Sequence, residues 1–334
     1  MSHNIAQTRI CAQKMLPHHQ DEFNTIHKSD LHPYHVQRLQ AAFFTKKLWP
    51  KGSKIRIGFT ESGDKVQRTN IPDGPDVDPL QKAVEGMSVQ EAVKKVVLER
   101  IIPLVNLDIK FVDDPNQANV RVSFDPNGGA WSLVGTDHLD EKDPKKPTIN
   151  LGWFDVPTTI HEFGHMIGMI HEHQNPKGEN IKWNEAKVFE WAKTTQGWSE
   201  KITKENIINK YNKNSINGSN FDPLSIMLYF FSPDLTTNNV GTKQNLRMSG
   251  LDVLWISKQY PKENGEDVAQ IFNSSTFYPN ETLEENIAKS KQMATHFGKG
   301  GSDMVWKTIG IAVAIVVGLI LLTIFIWWFL KHRK

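Results

Sequence analysis

The chain has 334 residues, an apolar fraction of 39% and a formal net charge of +2. That length holds one large domain or two, and so small a charge gives no basic surface for nucleic acid, which is excluded as a partner. The only cysteine, Cys11, excludes a fold stapled by intrachain disulfides and suits a reducing compartment.

Residues 1–45 are polar and contain His3, His18, His19, His27, His32 and His35. Their spacing is irregular, so they read as a partly ordered extension. A regulatory pro-segment and a second metal-binding tract are the alternatives. No apolar core of secretory-signal length opens the chain. Cys11 lies in "RICAQKM", which lacks the neighbours of a cysteine-switch motif, and reads as a plain unpaired thiol. A domain is expected over residues 46–262. In it "KIRIGF", "LDIKFVD" and "ANVRVSF" alternate apolar and polar residues, which predicts strands. "SVQEAVKKVVLERIIPLV" opens with Ser88 and Glu91 in capping-box spacing and continues with helical periodicity. "FDVPTTIHEFGHMIG" predicts a second helix, and "SGLDVLWISKQY" a closing one capped by Ser249. Strands and one long helix followed mostly by helices and loops give an α+β class.

Residues 263–307 read as a polar stalk. Thr308 to Leu330 carries no charge. It is long enough, at about 1.5 Å per residue, to cross an apolar layer of about 30 Å. Trp327 and Trp328 suit an interfacial belt, with Lys307 and the basic tail 331–334, "KHRK", as flanks. A single transmembrane helix over residues 308–330 is therefore expected, with the lipid bilayer as a partner. Only four residues follow Leu330. Insertion is then expected after translation, with the large amino-terminal part facing the cytosol. The lack of disulfides agrees. The positive-inside tendency of "KHRK" is matched by Lys289, Lys291, Lys299 and Lys307 on the other flank. Sequons at Asn217, Asn273 and Asn280 point the opposite way.

The chemistry is concentrated in "HEFGHMIGMIHEH", residues 161–173. His161 and His165 are four apart and share a helix face. Glu162 is turned by about 100°, within reach of a metal-bound water without being a ligand. Two neutral imidazoles and a general base are what H-E-x-x-H supplies to zinc. On a straight helix His171 would lie about 240° from His165, on the wrong face. Gly168 can turn the chain and bring it back. Three histidines with an open position define a catalytic rather than a structural zinc. A bare H-E-x-x-H also arises by chance in ordinary helices, but the added Gly168 and His171 have metzincin spacing. His173 falls outside the pattern and reads as a solvated or hydrogen-bonded histidine. Metzincins also need a methionine turn under the metal. "SIMLY" supplies Met227, which alone would be core filler, and Tyr229, which alone would be a half-buried aromatic.

With these residues in view, the chain resembles the astacin family of zinc metalloendopeptidases. The family pattern H-E-x-x-H-x-x-G-x-x-H-E, then S-x-M-x-Y, is matched at His161, Glu162, His165, Gly168, His171, Glu172, Ser225, Met227 and Tyr229. "KLWPKGSKIRIGF" resembles the start of the family's mature domain, "GGAWSLVG" its Gly-Gly-Cys-Tyr-Ser-x-Val-Gly segment, and "TINLGW" and "HEHQNP" its cysteine-free, microbial-looking branch; the likeness spans roughly residues 46–262. It implies one catalytic Zn2+ on His161, His165 and His171. It implies that Glu162 polarises the water, that Tyr229 is a swinging fifth ligand stabilising the tetrahedral intermediate, and that a protein or peptide is the substrate. Glu172 would be tied to a buried amino terminus. Two departures stand out: Ala130 replaces a cysteine, and the F-x-G-D propeptide motif is absent upstream of Lys47. Astacins are mostly secreted, against the cytosolic orientation. Two functions follow. One is a membrane-anchored zinc metalloendopeptidase. The other is an inactive metalloprotease-like module for binding or attachment at a membrane, which a missing Glu162 or histidine would have favoured.

Overall fold

The computed structural model describes residues 11–13, 43–176, 181–211, 216–217, 221–263, 267–274, 277 and 280–297. In chain order the strands are β1 (Ala12–Gln13), β2 (Phe43–Phe44), β3 (Lys54–Phe59), β4 (Gln67–Arg68), β5 (Asp108–Phe111), β6 (Val120–Ser123), β7 (Ala130–Ser132), β8 (Ile149–Leu151), β9 (Trp153–Phe154) and β10 (Ile216–Asn217). The α-helices are α1 (Leu80–Ala83), α2 (Val89–Val96), α3 (Val156–Met166), α4 (Glu185–Gln196), α5 (Glu200–Thr203), α6 (Gly250–Gln259), α7 (Val268–Phe272) and α8 (Leu283–His296).

Alternation in β3 buries Ile55 and Ile57, as a strand with one face on a core must. It is flanked by β5 and β6 in a sheet of order β1-β7-β8-β6-β3-β5. The pairs β3–β5, β3–β6 and β6–β8 are parallel, whereas β7 runs antiparallel to β8. Parallel neighbours need a crossover, and α2 lies in the one from β3 to β5. Its capping box is formed: Ser88 accepts from the Glu91 amide, and the Glu91 carboxylate accepts from the Ser88 amide. The helix continues through a π turn at Val97–Ile101 and a short 3-10 turn at Ile102–Leu104, where Pro103 ends the α-helical hydrogen-bond pattern. The sheet, α2, α3 and α6 share one core that includes Ile57, Val93, Val122, Phe163 and Trp255. A second cluster holds Val188, Ile207, Phe221, Leu228 and Phe231. These elements agree with the α+β expectation.

One expectation changes. Part of the span read as a polar stalk is folded, because α7 and α8 return onto the domain. Phe272, Phe277, Leu283 and Met293 are buried, each such apolar side chain contributing about 1.5–3 kcal/mol. Asn286 of α8 accepts from the Gly250 amide at 2.7 Å, and the Ser290 hydroxyl donates to Asp222. The described part of the amino-terminal extension is also docked, with β1 on β7 and β2 on β10. Residues 308–330, read as a transmembrane helix, lie outside the described residues. Among those described, no helix is long and apolar enough to cross a membrane.

Candidate active site

Helix α3 carries the first two histidines. Its N-cap, Asp155, accepts from the Thr158 amide, and Pro157 stands in its first turn, where its missing N–H leaves nothing unsatisfied. All of its residues are buried, so the imidazoles are held by packing and not by solvent. The helix stops at Met166, and Gly168 takes φ +95°, a conformation open to glycine and strained for other residues. That turn returns the chain so that His171 faces His161 and His165.

Donor nitrogens of the three histidines lie within 4.8 Å of one another. In each ring the other nitrogen is already committed. His161 Nδ1 lies 2.9 Å from the Ile226 carbonyl oxygen, and His165 Nδ1 lies 2.8 Å from that of Met169. His171 Nδ1 lies 3.3 Å from Gln174 Oε1. Each partner is an acceptor, so each Nδ1 carries the proton and each Nε2 presents a lone pair. His165 Nε2 and His171 Nε2 are then 3.1 Å apart with lone pairs facing, and His161 Nε2 is buried without a hydrogen-bond partner among the described residues. Such an arrangement repels itself unless a cation lies between the nitrogens. Burial lowers the His161 pKa to about 4 and holds those of His165 and His171 well below the usual imidazole range. Neutral imidazole is the form that binds metal. The site fits one zinc on His161, His165 and His171.

The methionine turn lies under this triad. Met227 is fully buried, and a Cβ added at Gly164 would lie 2.8 Å from its sulfur, so glycine is needed for α3 to rest on the turn. The same turn supplies the Ile226 carbonyl to His161, and the Met227 carbonyl accepts from the Glu172 amide at 3.0 Å. Glu162 is fully buried next to His161. No N–H or O–H donor among the described residues reaches its carboxylate oxygens, and burial pushes its pKa well above the usual carboxylate range. Tyr229 stacks over the site, its ring centroid 4.2 Å from that of His171 and 4.5 Å from that of His173. The structure thus brings together every site residue expected from the sequence.

Other residues were missed. Cys11, read as a plain thiol, stands in the site: its sulfur, a His161 nitrogen and a Glu162 oxygen lie within 4.8 Å of one another. Its carbonyl accepts from the Tyr229 hydroxyl. The reason for the correction is β1, which pairs with β7 in parallel register, Ala12 with Trp131 and Gln13 with Ser132. Gln174 is the second. Its amide nitrogen donates to the carbonyls of Glu205 and Asn209, which turns its oxygen toward His171. His173 is the hydrogen-bonded histidine of its two readings, buried with Nε2 at 2.8 Å from the Asn206 carbonyl. Glu172 accepts from Asn175 Nδ2 and the Asp222 amide at 3.0 and 2.9 Å. For Gln174 the sequence offered a signal, its three-residue offset from His171.

A helix presenting two imidazoles, a glycine turn returning a third, a methionine turn beneath and a buried carboxylate beside them define a metallopeptidase of the metzincin type. Residues 105–260 match the model of Astacin (Peptidase family M12A). A solved structure of myroilysin is 30% identical with a TM-score of 0.54, spanning 67% of this chain and 100% of that one. A crystal structure of myroilysin gives 27% identity and a TM-score of 0.44 over 75% and 99% of the two chains. High choriolytic enzyme 1, a hatching enzyme zinc-protease of the medaka fish Oryzias latipes, gives 16% and 0.36 over 64% and 93%. No curated protein sequence matches the chain. The chain belongs to the astacin family and is a zinc metalloendopeptidase, acting on protein or peptide substrates.

Proposed function

We propose that Glu162 is the general base and acid of peptide hydrolysis and that Tyr229 stabilises the oxyanion. The observation that carries this reading is the convergence of three Nε2 atoms beside a buried carboxylate without N–H or O–H donors. Bound zinc supplies Lewis acidity and lowers the pKa of a bound water. Glu162 accepts the proton of the attacking water and delivers it to the leaving amine nitrogen. Burial raises its pKa, which strengthens the carboxylate as a base. The Tyr229 hydroxyl donates to the developing oxyanion, an interaction worth most in a water-poor site. The inactive-module reading has no observation in its favour, because Glu162, Tyr229 and all three histidines are present and convergent. Tyr229→Phe, assayed on a peptide substrate, is expected to keep zinc and to lower kcat far more than it changes KM, since the lost bond forms mainly in the transition state. Unchanged turnover would remove Tyr229 from the reaction.

The same proposal places the enzyme at a membrane, with residues 308–330 as a single span and the protease domain facing the cytosol. The uncharged Thr308–Leu330 run supports the span. A chain with one cysteine and so no intrachain disulfide supports a reducing side. Protease protection on intact membranes is the test. The reading predicts a digestible domain without glycans at Asn217, Asn273 and Asn280. A shielded, glycosylated domain contradicts the orientation, and a domain released by salt or carbonate contradicts the span.

A further inference from the structure

Gln174 is fully buried and ends the 3-10 turn Glu172–Gln174. The turn closes with the Gln174 amide donating to the His171 carbonyl at 3.1 Å. Residues three apart on a 3-10 turn stand one above the other, so the Gln174 side chain is carried over the His171 ring. What it does there is decided by a distant segment. The π turn Lys204–Ile208 ends where the Asn209 amide donates to the Lys204 carbonyl at 2.8 Å and Asn209 itself becomes extended. A helix that stops leaves its last carbonyls without intrahelical donors. Gln174 Nε2 donates to two carbonyls at this end, Glu205 at 2.6 Å and Asn209 at 2.9 Å. His173 Nε2 takes a third, Asn206, at 2.8 Å. In return the Tyr211 amide donates to the Gln174 carbonyl at 3.1 Å.

A side-chain amide can be turned over, exchanging its nitrogen and its oxygen. Here only one orientation is satisfied. With the nitrogen toward the two carbonyls, the oxygen faces His171 Nδ1 at 3.3 Å. Reversed, the oxygen would meet two carbonyl oxygens, and the nitrogen would present an N–H to Nδ1. His171 would then carry its proton on Nε2 and have no lone pair there for a metal. We infer that Gln174 is the positioning residue of the third zinc ligand. The carbonyls of Glu205 and Asn209 fix its amide, and its amide fixes the one His171 tautomer that binds metal through Nε2. The inference rests on the zinc reading of the site. His161 and His165 take their Nδ1 acceptors from backbone carbonyls, those of Ile226 and Met169, and backbone carbonyls cannot be turned over in this way. His171 depends on a side chain instead. Through that side chain it depends on a helix end that lies 31 and 35 residues further along the chain. The order of segment 204–211 and the metal competence of the site are thus coupled.

The test compares Gln174→Met with Gln174→Glu in the full chain. Both lose N–H donors to the helix-end carbonyls, so both are expected to melt below the parent when metal-free. They differ at His171. A carboxyl oxygen still accepts the Nδ1 proton, whereas a thioether is only a weak acceptor. Competition with a chelator should show zinc affinity lowered about 10–100-fold in Gln174→Met, the range for losing a partner that orients a ligand, and kept at the parent's level in Gln174→Glu. Equal zinc affinity in the two variants would make Gln174 a structural residue only, and that result, or the parent's affinity in Gln174→Met, overturns the assignment. A further readout needs no variant. Proton NMR of the parent loaded with cobalt(II) should show three strongly shifted, exchangeable N–H signals, one per imidazole. Two such signals, with the third lost to exchange with water, would mean that the His171 proton is not held by Gln174 and would also overturn it. A folded parent that binds neither zinc nor cobalt overturns the zinc reading itself, and this role with it.

Discussion

Glu162→Gln lowers peptide turnover by about 10²–10⁴-fold, the range for losing a general acid–base catalyst, and leaves the zinc content unchanged. The amide has nearly the shape of the carboxylate, so packing in α3 survives, but it cannot accept the proton of the attacking water. Because Glu162 is not a ligand, metal and activity separate in this variant. Loss of both together would place the glutamate in the metal's coordination sphere and contradict its assigned role.

His165→Ala has the second large effect, and here metal and activity fall together. His165 is held at Nδ1 by the Met169 carbonyl and faces His171 at 3.1 Å through Nε2, so its ring cannot be replaced by a shift of a neighbour. Removing partners that only orient a ligand weakens metal affinity by about 10–100-fold. Removing the ligand itself should exceed that, and metal titration followed by competition with a chelator measures it. A variant that binds zinc as tightly as the parent would show that His161 and His171 suffice.

The zinc motif was legible in the sequence because its geometry is local. Two histidines four apart on α3 and a glycine at the turn carry their spatial relation in their spacing. Met227 and Tyr229 were legible only through a family pattern, since nothing in the spacing says that a turn so far downstream lies under Gly164. The capping box at Ser88 and the cap at Ser249 formed as read, again because cap and partner are three residues apart. Cys11 was illegible. Its meaning depends on β1 joining β7, a pairing between distant segments that no local signal encodes. The fold of α8 was hidden for another reason. Its buried side includes Asn286 and Ser290, whose burial is compensated by bonds to Gly250 and Asp222, so its inner face does not read as an apolar stripe. The resemblance ties Glu172 to an amino terminus; among the described residues it meets Asn175 and the Asp222 amide, contacts that depend on how the loops after α3 settle.

The central claim is that three imidazoles hold one zinc on which hydrolysis depends, and elemental analysis of the folded full chain tests it most directly. One zinc per chain, removed together with peptidase activity by a chelator and both restored by adding zinc back, is the predicted result. A folded chain that is free of metal and still cleaves peptides would contradict it.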